Sequence, residues 1–489
     1  MNAHSTIVLF PTHINDLKKR KSRHKIIYNA YFRKGHVFIM ELAKEKQDLT
    51  KGPLGKQILL FSLPLMLSNL LQVLFNMADI AVVGQFAGSV ALGAVGSTTT
   101  LVALFTGALI GLSGGINVLV ALHIGSKNPK AVRETAHSAA FFSLLVGILF
   151  LLIGVFFSEL ILSVMNTKSE LIADATLYLR IYFLGMPALA IYNCGNAVFS
   201  AAGDTKRPLR YLTVAGVINV VLNLFFVIVC HLSVAGVAIA SVISQYISAF
   251  LILNALCHSK EDYGLTLKDL QIRRDKLLAI TRIGVPAAMQ NIIFQFANLF
   301  VQVGINSFDA TTVAGNSAAA NADALVYDVM AAFYTACGSF IGQNYGAKNK
   351  KRIVKSYFIS LAYSFAAGLA LGVLLVIFGH TFLGLFTKDA AVIESGMYRL
   401  TVMGFSYAIS AFMDCTIAAS RGLGESLVPT FIVIMGSCVF RVIWIYTVFA
   451  YFHTVPSLYL LYCISWSITA LAEIVYFVYL YRKNVKYAF

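Results

Sequence analysis

The chain has 489 residues, 58% of them hydrophobic and only 12% charged, with a formal net charge of +16. A soluble protein of this length could not hide so much apolar side chain in cores, so a soluble enzyme or binding module is excluded and a chain that crosses a membrane many times is expected.

Apolar stretches of about 20 residues, the length that crosses a bilayer as a helix, recur twelve times. The predicted spans are 57–83, 92–120, 136–157, 171–196, 210–230, 233–256, 278–305, 311–337, 354–378, 391–416, 428–449 and 457–481. Ahead of them lies a basic segment with "KKRKSRHK" at 18 to 25, which would be attracted to anionic lipid. Of the 38 Lys and Arg, 33 fall at the two termini or in and beside the connections after even-numbered spans, whereas Lys168 and Lys388 alone lie in the other connections. Basic residues stay on the cytoplasmic side, so both termini are expected there. The positive charge is thus a signal of topology, and no nucleic-acid partner is expected. Arg180 and Arg399, near the outer ends of spans 4 and 10, are expected to snorkel to the surface. The seven cysteines stand singly in or beside apolar stretches, without metal-ligand spacing, and read as small core residues.

The chain repeats itself. Pro64 returns as Pro286, "GSKNPK" from Gly125 as "GAKNKK" from Gly346, Thr167 as Thr387 and "GDTKRP" from Gly203 as "GESLVP" from Gly424, at spacings of 220 to 222 residues. A six-helix unit is therefore duplicated. Because six is even, the copies are parallel, and an all-α membrane protein of two six-helix lobes about a central cleft is expected. The divisions are an extension over 1–50, an N-lobe over 51–256, a cytoplasmic linker over 257–277, a C-lobe over 278–482 and a tail over 483–489. Leu265, Leu267, Leu270 and Ile272 in the linker suggest a short amphipathic helix at the membrane surface, with a solvated connector as the alternative.

Span 1 carries Asn69, Gln72, Asn76 and Asp79, spaced 3, 4 and 3, on one helical face. Shifted by 222, span 7 keeps Asn291 and Asn298, with Gln295 and Gln302 beside them, but Asp79 falls on Val301. Only the first copy adds an acid. Asp79, Asn223 in span 5 and Ser241 in span 6 each lie roughly 7 to 11 Å below the outer surface at 1.5 Å per residue, and Asn219 shares the face of Asn223. Together they offer oxygen ligands and one negative charge, a chemistry suited to H+ or Na+. An acid inside a membrane is costly enough to be read as functional. Asp414, Asp328 and Glu473 are further acids within spans; Arg441 offers them a counter-ion, and Asp414 is read as a substrate-cavity residue with Asn69, Gln72, Asn291, Gln295 and Asn298. Gly107, Gly111 and Gly115 form overlapping GxxxG patterns that predict close helix packing.

The repeated Pro of spans 1 and 7, "ADIAVVG", "GQNYGAKN" after span 8 and "SRGLGES" after span 10 resemble the multidrug and toxic compound extrusion (MATE) family, most nearly its DinF-type branch, over about residues 50 to 482. The resemblance implies a secondary antiporter in the cell membrane, monomeric and without cofactors, which exports organic, cationic amphiphilic compounds in exchange for H+ or Na+ by alternating access. It also places cation-linked residues at Asp79, Asn76, Asn219, Asn223 and Ser241. The branch commonly has a second Asp where this chain has Asn223, so H+ is favoured over Na+ at Asp79. Residues 1 to 39 match nothing in that pattern, and Met40 reads as a more usual start.

ATP is not expected to drive the process, since "GPLGKQ" at 52 to 57 has its glycines too close for a phosphate loop and no Ser or Thr after Lys56. No nucleophile with a base nearby suggests an enzyme, and no motif supports a passive channel. The alternative is a lipid or lipid-linked oligosaccharide flippase, which should ring its cleft with Arg and Lys; the sequence places Arg441 alone deep in a helix.

Overall fold

The computed structural model describes residues 47–165, 167–266 and 271–487. The basic run at 18 to 25 and Met40 lie outside the described residues, as do Leu267 and Leu270 of the linker.

Twelve spans are found among the described residues, eleven continuous and one bent. They are α1 (Leu54–Phe86), α2 (Gly88–Gly125), α3 (Pro129–Val164), the bent pair α4a (Ser169–Phe183) and α4b (Met186–Ala201), α5 (Lys206–Val229), α6 (Ser233–Cys257), α7 (Arg274–Ile305), α8 (Ala310–Gly346), α9 (Lys350–Leu383), α10 (Ala390–Gly422), α11 (Leu427–Phe452) and α12 (Val455–Lys486). In hydrocarbon every backbone polar group needs a partner within the protein, which is why each apolar stretch becomes a helix. The helices run a few residues past most predicted ends. The bend of 47° in the fourth follows Gly185 and Pro187, a break that the hydropathy of one continuous stretch conceals.

The repeated motifs are the helix junctions. Lys127 and Lys348 both take positive φ, 52° and 55°. Next to each, the side chain of Asn128 or Asn349 caps the following helix by accepting from the backbone N–H of Ala131 or Arg352. At the same junctions the two lobes meet about a two-fold relation. A Cβ on Gly125 would lie 1.9 Å from the Gln343 carbonyl oxygen and one on Gly346 2.1 Å from that of Leu122, so only glycine permits the approach. Ser339 Oγ donates to Asn117 Oδ1 at 2.8 Å, and these two residues are themselves 222 apart.

Further contacts join α2 with α7 and α1 with α8. Gly111 and Gly115 face the α7 backbone at Ala287, Ala288 and Gly284. The packing predicted from the GxxxG pattern is thus contact between lobes. Asn69 Nδ2 donates to the Asp328 carbonyl oxygen at 2.9 Å and Asn291 Nδ2 to that of Gly107 at 2.8 Å. These two lie near the helix midpoints; among the described residues no hydrogen bond joins the lobes farther toward the end opposite the termini. The hydrogen bonds between the lobes thus run from the helix midpoints to the terminus-bearing end, the closed side, and among the described residues none lies toward the other end, the open side.

Residues 47–52 cross that closed side as a strap. Gln47 N–H donates to the Gly203 carbonyl oxygen of the N-lobe. In the C-lobe, Asn344 donates to the Leu49 carbonyl oxygen, and Arg352 to those of Leu49, Lys51 and Gly52. Leu49 is fully buried with Phe61, Phe333 and Phe340. Partial burial works against the charge of Asp48, but the amide and hydroxyl of Thr50 both donate to its carboxylate and hold it below the usual carboxylate range. The linker docks comparably on the N-lobe: the amides of Thr266 and Gln271 point at the His137 ring, and that of Arg273 at Ser138 Oγ. Residues 258–266 and 271–273 are not helical. Cys230 is exposed and Cys257 and Cys463 are partly exposed, so they are not core residues, whereas the other four are buried.

Candidate functional site

In the N-lobe, α1, α5 and α6 bring four predicted residues together. Asn223 Nδ2 donates to Asp79 Oδ1 in a short contact, Ser241 Oγ donates to Asp79 Oδ2 at 3.1 Å, and Asn223 Nδ2 also donates to Asn219 Oδ1 at 3.1 Å. Asn219 Nδ2 approaches Ser241 Oγ at 3.4 Å. Both carboxylate oxygens are thus held by neutral donors with no cation among them. Asn223 Oδ1 is buried and has no partner. One residue beyond Leu224 the helix passes into a π turn, Phe225–Val229, a local widening frequent at functional sites. Beside the cluster lies a cavity of about 310 Å³, lined among others by Gln72, Asn76, Asp79, Tyr178, Tyr182 and Asn193. Asn76 lines this cavity but makes no hydrogen bond to the cluster, and Gln72 faces it rather than the C-lobe.

A larger cavity of about 800 Å³ lies mainly in the C-lobe, walled on one side by α2. Asn291, Gln295, Asn298 and Asp414 line it. Asn69 lines neither cavity, because its amide is used at the lobe junction. Asp328 is partly buried and joins that junction through its backbone, and Glu473 is fully buried with both carboxyl oxygens lacking a hydrogen-bond partner.

The arginines differ from expectation. Arg399 does not snorkel; it is buried and ion-paired through Nη2 with Asp323, which also accepts from the Tyr407 hydroxyl, while Nη1 donates to Asn316 at 2.6 Å. Arg180, at the matched repeat position, does reach the exposed surface, where it pairs with Glu159 at 3.3 Å. Arg441 is not a counter-ion for Asp414, Asp328 or Glu473: it donates to Asn298 at 3.0 Å and is caged by Tyr462, Phe294 and Trp466 at 4.6, 4.9 and 5.7 Å. Arg421 donates to Gln290 at 2.8 Å. Asp323 is not among the predicted site residues, although it is an acid within a span; its partner Arg399 on α10 is 76 positions away in sequence. Arg421 stands beside the connection after span 10, where its charge reads as one more basic residue of that side and gives no sign that it lines the cavity.

The MatE family model matches the chain twice, over residues 64–225 and 286–447. The chain is 30% identical over 364 residues to the probable multidrug resistance protein YpnP of Bacillus subtilis, covering 74% of this chain and 80% of that one. To the probable multidrug resistance protein NorM of Thermotoga maritima it is 26% identical, covering 77% and 82%. Its fold matches a solved structure described as the outward-facing conformation of a multidrug resistance MATE family transporter, with a TM-score of 0.84, 22% identity and coverage of 90% of this chain and 99% of that one. The doubled match falls at the same 222-residue offset as the repeat read from the sequence, and the chain belongs to the MATE family of multidrug transporters.

Proposed function

We propose that the protein is a secondary antiporter of the cell membrane that exports organic compounds in exchange for H+, with Asp79 as the coupling carboxylate. The observation that carries this reading is a membrane-embedded acid held only by neutral donors beside a cavity of its own, apart from the larger cavity that can take cargo. With both termini cytoplasmic, the open side of the lobes faces outward, so Asp79 can load a proton from the outer medium. A protonated carboxyl must give up one of its two acceptor roles. The Ser241 hydroxyl would turn to accept, or the Asn223 amide would turn its unused Oδ1 toward the new O–H. Either change alters how α1 meets α5 and α6, and a ligand biases a conformational equilibrium only through such a difference between states. Na+ is the weaker alternative, because Asn223 stands where a second acid would strengthen a cation site.

Asp79→Asn keeps the shape and fixes the neutral form. Export driven by an imposed proton gradient in vesicles is expected to vanish while the protein still inserts; undiminished export would refute the coupling role, and export driven by a Na+ gradient alone would refute only the ion. A flippase for lipid-linked anions is the second reading, favoured by one observation: three arginines line the C-lobe cavity where one was expected. A cationic cargo, implied by the resemblance, meets two acids among the described residues that line this cavity: Asp323, already occupied by Arg399 and Tyr407, and Asp414, for which no hydrogen bond is found.

A further inference from the structure

Of the three guanidinium groups that line the C-lobe cavity, Arg399 is paired with Asp323, and Arg421 has Asp414 and Glu473 within electrostatic reach. Arg441 has no carboxylate within ion-pair distance among the described residues. Its side chain is fully buried, Nη1 is used by Asn298, Nε lies 3.5 Å from Ser465 Oγ, and Nη2 has no partner at all. Arginine cannot shed its proton to escape such a site. An unpaired buried charge is unfavourable, and the three surrounding rings offset only part of that, since a ring face attracts the cation but gives Nη2 no oxygen to bond.

The repeat supplies an independent observation. At the 222-residue offset between the two family matches, Asp79 corresponds to Val301 and Asn219 to Arg441. Val301 and Arg441 both line the C-lobe cavity, as Asp79 and Asn219 line the N-lobe one. Neither charge is repeated at its matched place: the acid of the N-lobe cavity is replaced by a valine in the C-lobe, and the permanent cation of the C-lobe cavity by an asparagine in the N-lobe, so the two cavities differ in the sign of the charge each adds.

We propose that the C-lobe cavity binds organic anions, with a carboxylate, sulfonate or phosphate group of the cargo completing the bonding of Arg441 and an apolar ring system filling the rest of the space. This rests on the reading of that cavity as the cargo site. A bidentate oxyanion suits the planar fork of arginine, and with the proton held in the other lobe the two ligands need not compete for one group.

The test is equilibrium dialysis of the purified full chain in nonionic detergent with two probes that share a ring and differ in charge, naphthalene-1-sulfonate and 1-naphthylmethylamine. The sulfonate is expected to bind at least about tenfold more tightly than the amine, and Arg441→Gln to weaken it by about tenfold or more while changing amine binding less than about twofold. Arg441→Lys, measured alongside, is expected to keep the preference for the sulfonate because it keeps the charge. Equal or tighter binding of the amine by the unmutated protein overturns the proposal without recourse to any variant, as does sulfonate binding unchanged in Arg441→Gln. Amine binding without sulfonate binding leaves the antiport reading standing; binding of neither removes the C-lobe cavity as cargo site as well. The antiport reading is decided separately by Asp79→Asn in vesicles.

Discussion

Each oxygen of Asp79 has one donor, from Asn223 and from Ser241, and the two are not equivalent. The amide has a second N–H engaged with Asn219, whereas the Ser241 hydroxyl has a single proton to give. Ser241→Ala should therefore deprive the ionised state of one bond that nothing nearby replaces. Hydrogen bonds to charged groups contribute about 1.5 to 3 kcal/mol, so gradient-driven export is expected to fall by about tenfold or more, and Ser241→Thr, which restores the hydroxyl, to retain most of it. Equal export by the Ala and Thr variants in vesicles would show that the hydroxyl has no part in coupling. The cluster was legible because helical periodicity and depth below the surface are local quantities: Asp79, Asn223 and Ser241 each sit a fixed number of residues from a helix end. The Asp323–Arg399 pair was not legible, because it joins α8 to α10 and nothing in either stretch states which faces meet. Charge alone made Arg399 look like a residue seeking the surface; only the partner explains its burial.

At the level of helices, the closed side of the molecule depends on backbones lying against one another. A Cβ on Gly115 would stand 2.5 Å from the Gly284 nitrogen and 2.6 Å from its Cα. Gly115→Val should push α2 from α7 and weaken the closure. Overpacking typically costs about 1 to 3 kcal/mol, which corresponds to roughly 5- to 150-fold in a two-state equilibrium. The measurement is labelling of Ser339→Cys, in a background with the native cysteines replaced, by an impermeant maleimide applied to the terminus-bearing face. Ser339 is fully buried, so labelling is expected to be slow with Gly115 and much faster with Val; equal rates would mean that the closure does not depend on this contact. The helices themselves were readable from apolar length, and the two-fold relation from the repeat. The break in α4 was not, because hydropathy measures how apolar a stretch is and not whether it is straight.

For the whole molecule, the direction in which the cleft opens acquires meaning only with an orientation. A new thiol at Lys168 should react with an impermeant reagent from outside intact cells, and one at Lys348 should react only after the inner face is exposed. The reverse pattern would turn both the topology and the loading side of Asp79 around. The strap over residues 47–52 adds a matter of timing. Its bonds to Asn344 and Arg352 span 295 to 303 positions of sequence. Ribosomes add about 5 to 20 residues per second, so the strap emerges roughly 15 to 60 s before its C-lobe partners exist. Throughout that interval Leu49 lacks the Phe333 and Phe340 that later cover it. The strap is thus made before the residues that hold it, and its contacts with the C-lobe close late in assembly.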